Sequence, residues 1–233
     1  MITLARDDLR SLIAEARLAP SVHNIQPTRW RQGDGVIELC GVPGRSIPVA
    51  DPEWRDWRLS HGAALEGLVI ALAGRGLQIG QVDIEAPRSL SPATPTQTIA
   101  RVKLASLDHR PASDPTGTRV SWRGAFRPMD GAANAALDRL ATACNDLVLV
   151  REAPAILNAA KLGDRAGLFF LRDVAHRREL LEWLRLARSH AGYQRDGLNA
   201  EAMTLSAIEA WGAGLVLGPL FALLDRVGLA APL

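Results

Sequence analysis

The sequence predicts an α+β protein, a central, mostly antiparallel sheet flanked by helices. Three stretches carry that reading. Leu9, Leu12, Ile13 and Ala16 recur at spacings of three and four, which places them on one stripe of a helix, and Leu18 extends the apolar run. Residues 28–32 and 36–40 flank Gly33-Asp34-Gly35, and Asp-Gly is the turn chemistry of a hairpin. Across residues 99–107, Ile99, Arg101, Lys103 and Ala105 alternate against Ala100, Val102, Leu104 and Ser106, the period of a strand.

The elements follow in order. Asp7 or Asp8 is placed to cap the first helix, and Pro20 ends it. The hairpin comes next, then a loop at 41–52 rich in proline and glycine. Residues 61–77 form a helix that is apolar nearly all round, with Glu66 as almost its only polar side chain, so it is buried on most sides or lies across a subunit interface. Gly62, Gly67 and Gly74 would let another backbone approach it. A short strand at 81–85, a loop at 89–98, the alternating strand and a loop at 111–117 complete the first half. The second half reads as an amphipathic helix at 132–144 with Leu137 and Leu140 inward, a strand at 147–150, and helices at 155–171 and 174–191. From 196 to 233 the chain is apolar and punctuated by glycine, more an arm than a compact unit. Residues 1–117 and 118–233 are expected to form two halves of one domain.

Composition narrows the function classes. The chain has 233 residues, 48% of them apolar and 22% charged, ordinary for a globular protein with a substantial core. A net charge of +2, with arginines dispersed and not interleaved with stacking aromatics, argues against a nucleic-acid partner. Cys40 and Cys144 stand far apart, with no zinc or disulfide spacing, and a reducing, cytoplasmic setting is expected. Residues 1–8 lack an apolar signal core, and Gly218, Pro219, Asp225 and Arg226 interrupt the apolar tail, so no membrane partner is expected.

Two stretches could carry chemistry. Between Pro20 and Pro27, Ser21, His23, Asn24 and Gln26 crowd four polar side chains directly after an apolar helix face. Such a loop can grip a small polar ligand, or it can simply stop a helix. Further on, Arg119-Val120-Ser121-Trp122-Arg123 sets two arginines around a serine, a pattern that can cradle a phosphate or line a solvated strand edge. There is no Gly-x-x-x-x-Gly-Lys-Ser/Thr loop, no Gly-x-Gly-x-x-Gly turn and no Gly-x-Ser-x-Gly elbow. The histidines, His23, His61, His109, His176 and His190, lack metal-ligand spacing, and no metal is expected.

Taken in order, the motifs resemble a known family. Ala19-Pro20-Ser21-x-x-Asn24-x-Gln26-Pro27 is similar to the A-P-S-x-x-N-x-Q-P signature of the FMN-dependent nitroreductase superfamily. His61-Gly62-Ala63-Ala64-Leu65-Glu66-Gly67-Leu68, running on to Gly76-Leu77, resembles that superfamily's central helix. Arg119-x-Ser121-x-Arg123-x-x-Phe126 looks like its R-R-S-x-R-x-F segment, which usually opens the chain but here stands in the middle. That rearranged order, together with Asp51-Pro52 and Arg195-Asp196-Gly197-Leu198, resembles the Acg-like branch.

The resemblance implies a nitroreductase-like fold, a homodimer and FMN as cofactor. Arg119, Ser121 and Arg123 would hold the flavin phosphate. Pro20, Ser21 and Asn24 would lie along the ribityl chain and ring, with Gln26 behind them. The implied activity carries hydride from NADH or NADPH through the flavin to a small flat electrophile such as a nitroaromatic or a quinone. No protein residue is expected to act as a catalytic acid or base, because the flavin carries the chemistry. The same resemblance admits a protein that sequesters FMN with little turnover, sheltering it under the 174–191 helix or the 195–198 element.

Overall fold

The computed structural model describes residues 2–85, 97–107 and 116–230. Most of the expected 89–98 and 111–117 loops, and His109, lie outside them. The chain divides into two compact units. The first comprises residues 1–122 and 182–202, the second 123–181 and 203–233.

In the first unit, helix α1 (Arg6–Ala16) leads through the polar loop into strands β1 (Thr28–Gly33) and β2 (Val36–Gly41). Helix α2 (Arg55–Ala73) and strands β3 (Leu77–Ile84) and β4 (Thr98–Ser106) follow. The four strands pair antiparallel in the order β1-β2-β4-β3. The hairpin forms as expected, with Asp34 and Gly35 both at positive φ in the turn. Alternation in β4 sends Ala100, Val102 and Leu104 into the core and Arg101 and Lys103 to solvent.

Two apolar clusters bind sheet and helices together. One joins Leu12 and Ala16 of α1 to Leu68, Ala71 and Leu72 of α2 and to Ile37, Val102 and Leu104 of the sheet. The other gathers Ile25, Leu39, Ile47, Trp57, Ala64, Ile99 and Ala100. Of the three glycines in the apolar helix, Gly67 is the one that admits a backbone. A Cβ there would stand 2.8 Å from the carbonyl oxygen of Ala16, whereas the space at Gly62 is open.

Several boundaries differ from expectation. Asp7 and Asp8 sit within the first turn of α1, whose N-cap is Ala5, so they act on the helix dipole instead of capping it. Helix α2 begins six residues earlier than the apolar run because Asp51 organises its start. Both Asp51 carboxylate oxygens accept backbone N–H groups, from Arg55 at 2.7 Å and Trp57 at 2.8 Å. Asp51 is therefore buried and holds a helix end.

The second unit holds α3 (Gly131–Ala143), α4 (Ala153–Arg172), most of α5 (Val174–Trp183), α6 (Ala207–Leu217) and α7 (Phe221–Arg226). Asp130 caps α3 by accepting the Ala133 N–H, and a reciprocal Ser206–Glu209 capping box starts α6. Residues 147–150 form no strand, and Leu140 is exposed. The 174–191 helix stops at Trp183, where the chain turns into β5 (Leu184–Arg185), which pairs parallel with β6 (Leu198–Asn199). Within the expected C-terminal arm, α6 and α7 are helical. No described helix is long and apolar enough to cross a membrane.

Candidate functional site

The polar loop after α1 is backbone-strained. His23, Asn24 and Gln26 all have positive φ, at 44°, 53° and 52°. The left-handed region costs an L-residue roughly 1–2 kcal/mol, and three such residues within four positions need compensation from their surroundings. It comes from five directions. Val22 N–H donates to Ser60 Oγ at 3.0 Å, and Gln26 N–H donates to Ser21 Oγ at 3.2 Å. Gln26 Nε2 donates to Asn24 Oδ1 at 2.6 Å, which fixes both side chains. Arg45 Nη1 donates to the Ile25 carbonyl at 2.7 Å. Asn24 grips Gly197 twice, with Nδ2 donating to the Gly197 carbonyl at 3.0 Å and its own carbonyl accepting the Gly197 N–H at 3.0 Å.

Gly197 follows a buried ionic node. Asp196 accepts from Arg185 Nη2 at 2.9 Å and Nε at 3.1 Å, and from Arg45 Nη2 at 3.0 Å. Burial pushes the Asp196 carboxyl pKa up, but hydrogen bonds and charge from Arg185 and Arg45 outweigh that and hold it below the usual range. The node dictates its glycines. At Gly197 φ is +74°, and a Cβ would meet the Trp183 carbonyl oxygen at 2.5 Å; at Gly192 it would meet Arg185 Nε at 2.6 Å.

Of the phosphate-grip residues expected from sequence, Arg119 comes to the start of the loop. Its Nη2 donates to the Leu18 carbonyl at 2.8 Å and its Nη1 donates to Ser121 Oγ at 3.2 Å. All three residues are exposed in irregular chain, so no strand edge exists here. Arg123 belongs to the second unit. Pro20 is exposed, while Ser21, Asn24 and Gln26 are half-buried.

The loop borders a small pocket of about 20 Å³ with a mixed lining that includes Arg17, Ser21, Gln26, Pro27, Trp30 and Ser60. A larger groove, about 350 Å³, lies between α2 and the sheet, lined by Leu39, Leu65, Ile84, Ile99, Arg58 and His61, among others. His61 is 2% exposed. Burial depresses its pKa from 6.5 to about 4, so the ring is neutral, and its Nδ1 shares a 2.8 Å hydrogen bond with Thr28 Oγ1. Among the described residues no group of three His, Cys, Asp or Glu side chains is placed to hold a metal.

Sequence reasoning missed Arg45 and the exact place of Asp196. The signal available was the glycine after Asp196, within a tetrapeptide that resembles an element of the Acg-like branch.

Comparison with known proteins adds named relatives. No family model matches the chain. A Mycobacterium tuberculosis protein named "Putative NAD(P)H nitroreductase" is 30% identical over 185 residues, covering 76% of this chain and 51% of that protein. A second from the same organism, named "Putative NAD(P)H nitroreductase acg", is 32% identical over 106 residues, 46% of this chain and 29% of that one. The chain is similar in sequence to proteins named as nitroreductases, Acg among them. It spans about half the length of the first of those nitroreductase relatives. Among solved structures, a Clostridium acetobutylicum protein titled "Putative NADH Oxidase" aligns with a TM-score of 0.36 at 13% identity, over 48% of this chain and 81% of that one. A nitroreductase family protein from Streptococcus pneumoniae aligns with a TM-score of 0.34 at 14% identity, over 64% and 92%.

Proposed function

We propose that the chain is an FMN-dependent oxidoreductase that passes hydride from NADH or NADPH through the flavin to a small flat electrophile, such as a nitroaromatic or a quinone. The observation that carries this reading is the strained loop. Three non-glycine residues held left-handed by hydrogen bonds from distant parts of the chain mark a segment under functional constraint. They fall within the stretch that resembles the superfamily signature.

The donor set fits FMN. Asn24 and Gln26 offer amides whose orientation is fixed by each other and by Gly197. Arg119, beside Leu18, would bring a guanidinium to the phosphate end, with Ser121 next to it. Arg123 would add a second guanidinium. When bound, the flavin would supply the redox chemistry, and the protein's residues would bind and orient it and exclude water. The pocket at the loop, about 20 Å³, is far smaller than the 300–1,000 Å³ typical of ligand pockets. The loop therefore serves as one wall of the slot, and a second subunit would complete it in a homodimer.

The test starts with colour. Protein purified from cells supplied with riboflavin should be yellow, or should take up FMN on titration; a colourless protein that binds none would refute the proposal. Anaerobic NADPH should then bleach the visible flavin band. A band that persists with both NADPH and NADH would mean that the flavin is stored and not used. Arg119→Ala and Arg123→Ala should each weaken FMN binding by about 1–3 kcal/mol, measured by fluorescence titration. Unchanged affinity in both would remove this segment from the site.

A further inference from the structure

The 182–202 segment is where the chain returns to the first unit between two stretches of the second. Its β5–β6 pair brings Trp183 and Arg185 beside Gly197 and Leu198. Of this segment the proposed chemistry uses only Gly197, as the partner of Asn24. Yet its most buried charges, Arg185 at 8% and Asp196 at 9% exposure, lie directly beside the residue that holds Asn24.

We propose that Asp196 is a positioning residue for the ligand-binding loop. Its carboxylate holds Arg45 against the Ile25 carbonyl and Arg185 against its own turn, which presents the Gly197 peptide to Asn24.

One carboxylate oxygen, Oδ1, takes both Arg185 bonds, and the other, Oδ2, takes Arg45. Arg45 then spends its second nitrogen on Ile25, the residue between the left-handed Asn24 and Gln26. On the other side, the peptide next in sequence to Asp196 closes a two-bond ring with Asn24. A single side chain thus clamps the strained loop from two directions. The glycine requirement at Gly192 and Gly197 follows from the same packing, since a Cβ at either would strike the Arg185 side chain or the Trp183 carbonyl.

Charge supports the arrangement. Arg29, on β1 just past the loop, feels Arg45 and Arg17 as repelling neighbours and Asp196 as the attractive one. Removing the carboxylate would leave this cluster of cations without that anion, and Arg45 would be expected to leave Ile25. A neutral asparagine would also turn an NH₂ group toward a guanidinium, where no acceptor remains.

The ligand half of this inference rests on the flavin reading, whereas the loop half stands without it. The experiment therefore has two arms, both on the full chain. The first measures backbone amide exchange by NMR on the flavin-free protein. In Asp196→Asn the amides of Asn24, Ile25, Gln26 and Gly197 should exchange about tenfold faster or more, while those of Leu68, Ala71 and Leu72 in α2 stay unchanged. The second titrates FMN, whose Kd should rise about tenfold with an altered visible spectrum of the bound fraction. Loop amides that do not change would overturn the proposal. So would acceleration of loop and α2 amides by the same factor, which would make Asp196 a general stabiliser. If the wild type binds no FMN, the flavin reading falls and the exchange arm alone decides the positioning role. Should Asp196→Asn fail to fold, Arg45→Met removes the grip on Ile25, leaves the Arg185–Asp196 pair in place, and is expected to free the same loop amides.

Discussion

His61 shows how far one side chain's setting can depart from its residue type. It stands on α2 against Trp57, with ring centroids 4.2 Å apart in an edge-on arrangement, and its proton affinity is lowered by burial. The folded-state pKa of about 4 lies below the 6.5 of an unfolded histidine. Between those values the unfolded chain binds the extra proton, so stability is complete above the upper value and falls as pH drops through the window. From about pH 7 to about pH 5 the loss from this one group should be roughly 2 kcal/mol. Urea unfolding at both pH values measures it. In His61→Gln the corresponding part of the pH dependence should vanish, and an unchanged slope would show that His61 is not its source. The loop residues obey the same logic of context. Asn24 tolerates its left-handed conformation because its side chain and its carbonyl are both occupied by Gly197.

Among the elements, α2 organises the first unit. It contacts α1 through Gly67, meets both core clusters and carries Ser60, whose hydroxyl accepts the Val22 N–H of the strained loop. Its start depends on Asp51, which lies three residues before the left-handed Trp54 and satisfies two otherwise unpaired N–H groups at the positive end of the helix dipole. Asp51→Ala should cost about 2 kcal/mol of stability, at the upper end of capping losses because the group is buried. Chemical denaturation monitored by far-ultraviolet circular dichroism would show it. A midpoint within error of wild type would mean that the helix start is held by other contacts. The apolar run that marked this helix in the sequence begins only at its second turn, because the first turn is set by a side chain outside the helix.

At the scale of the molecule the two units bury their side chains to different degrees. Residues of α2, β2 and β4 supply most of the buried core, whereas α3 and α4 contain no buried residue, and Leu162 and Phe169 of α4 are 64% and 71% exposed. Local opening free energy follows buried apolar contacts. Hydrogen exchange on the intact chain should therefore find the slowest amides in α2, β2 and β4 and much faster ones in α3 and α4. Equal protection would mean that the apolar face of α4 is covered in solution.

The sequence by itself determined the hairpin, the alternation of β4, the apolar helix and the loop between Pro20 and Pro27, because each rests on periodicity or turn chemistry confined to a few neighbouring residues. Motif order carried the family expectation in the same local way. Short segments whose fate depends on distant partners were not legible. Residues 147–150 had the composition of a strand but met no strand to pair with, and the amphipathic run from Val174 was cut at Trp183 where the chain re-entered the first unit. Only the tertiary structure decided that Asp51 starts a helix, that His61 is buried and neutral, and that Arg45, Asp196 and Gly197 hold the loop. Asn24 and Gly197 are 173 residues apart, and a hydrogen bond across that distance has no local pattern to announce it.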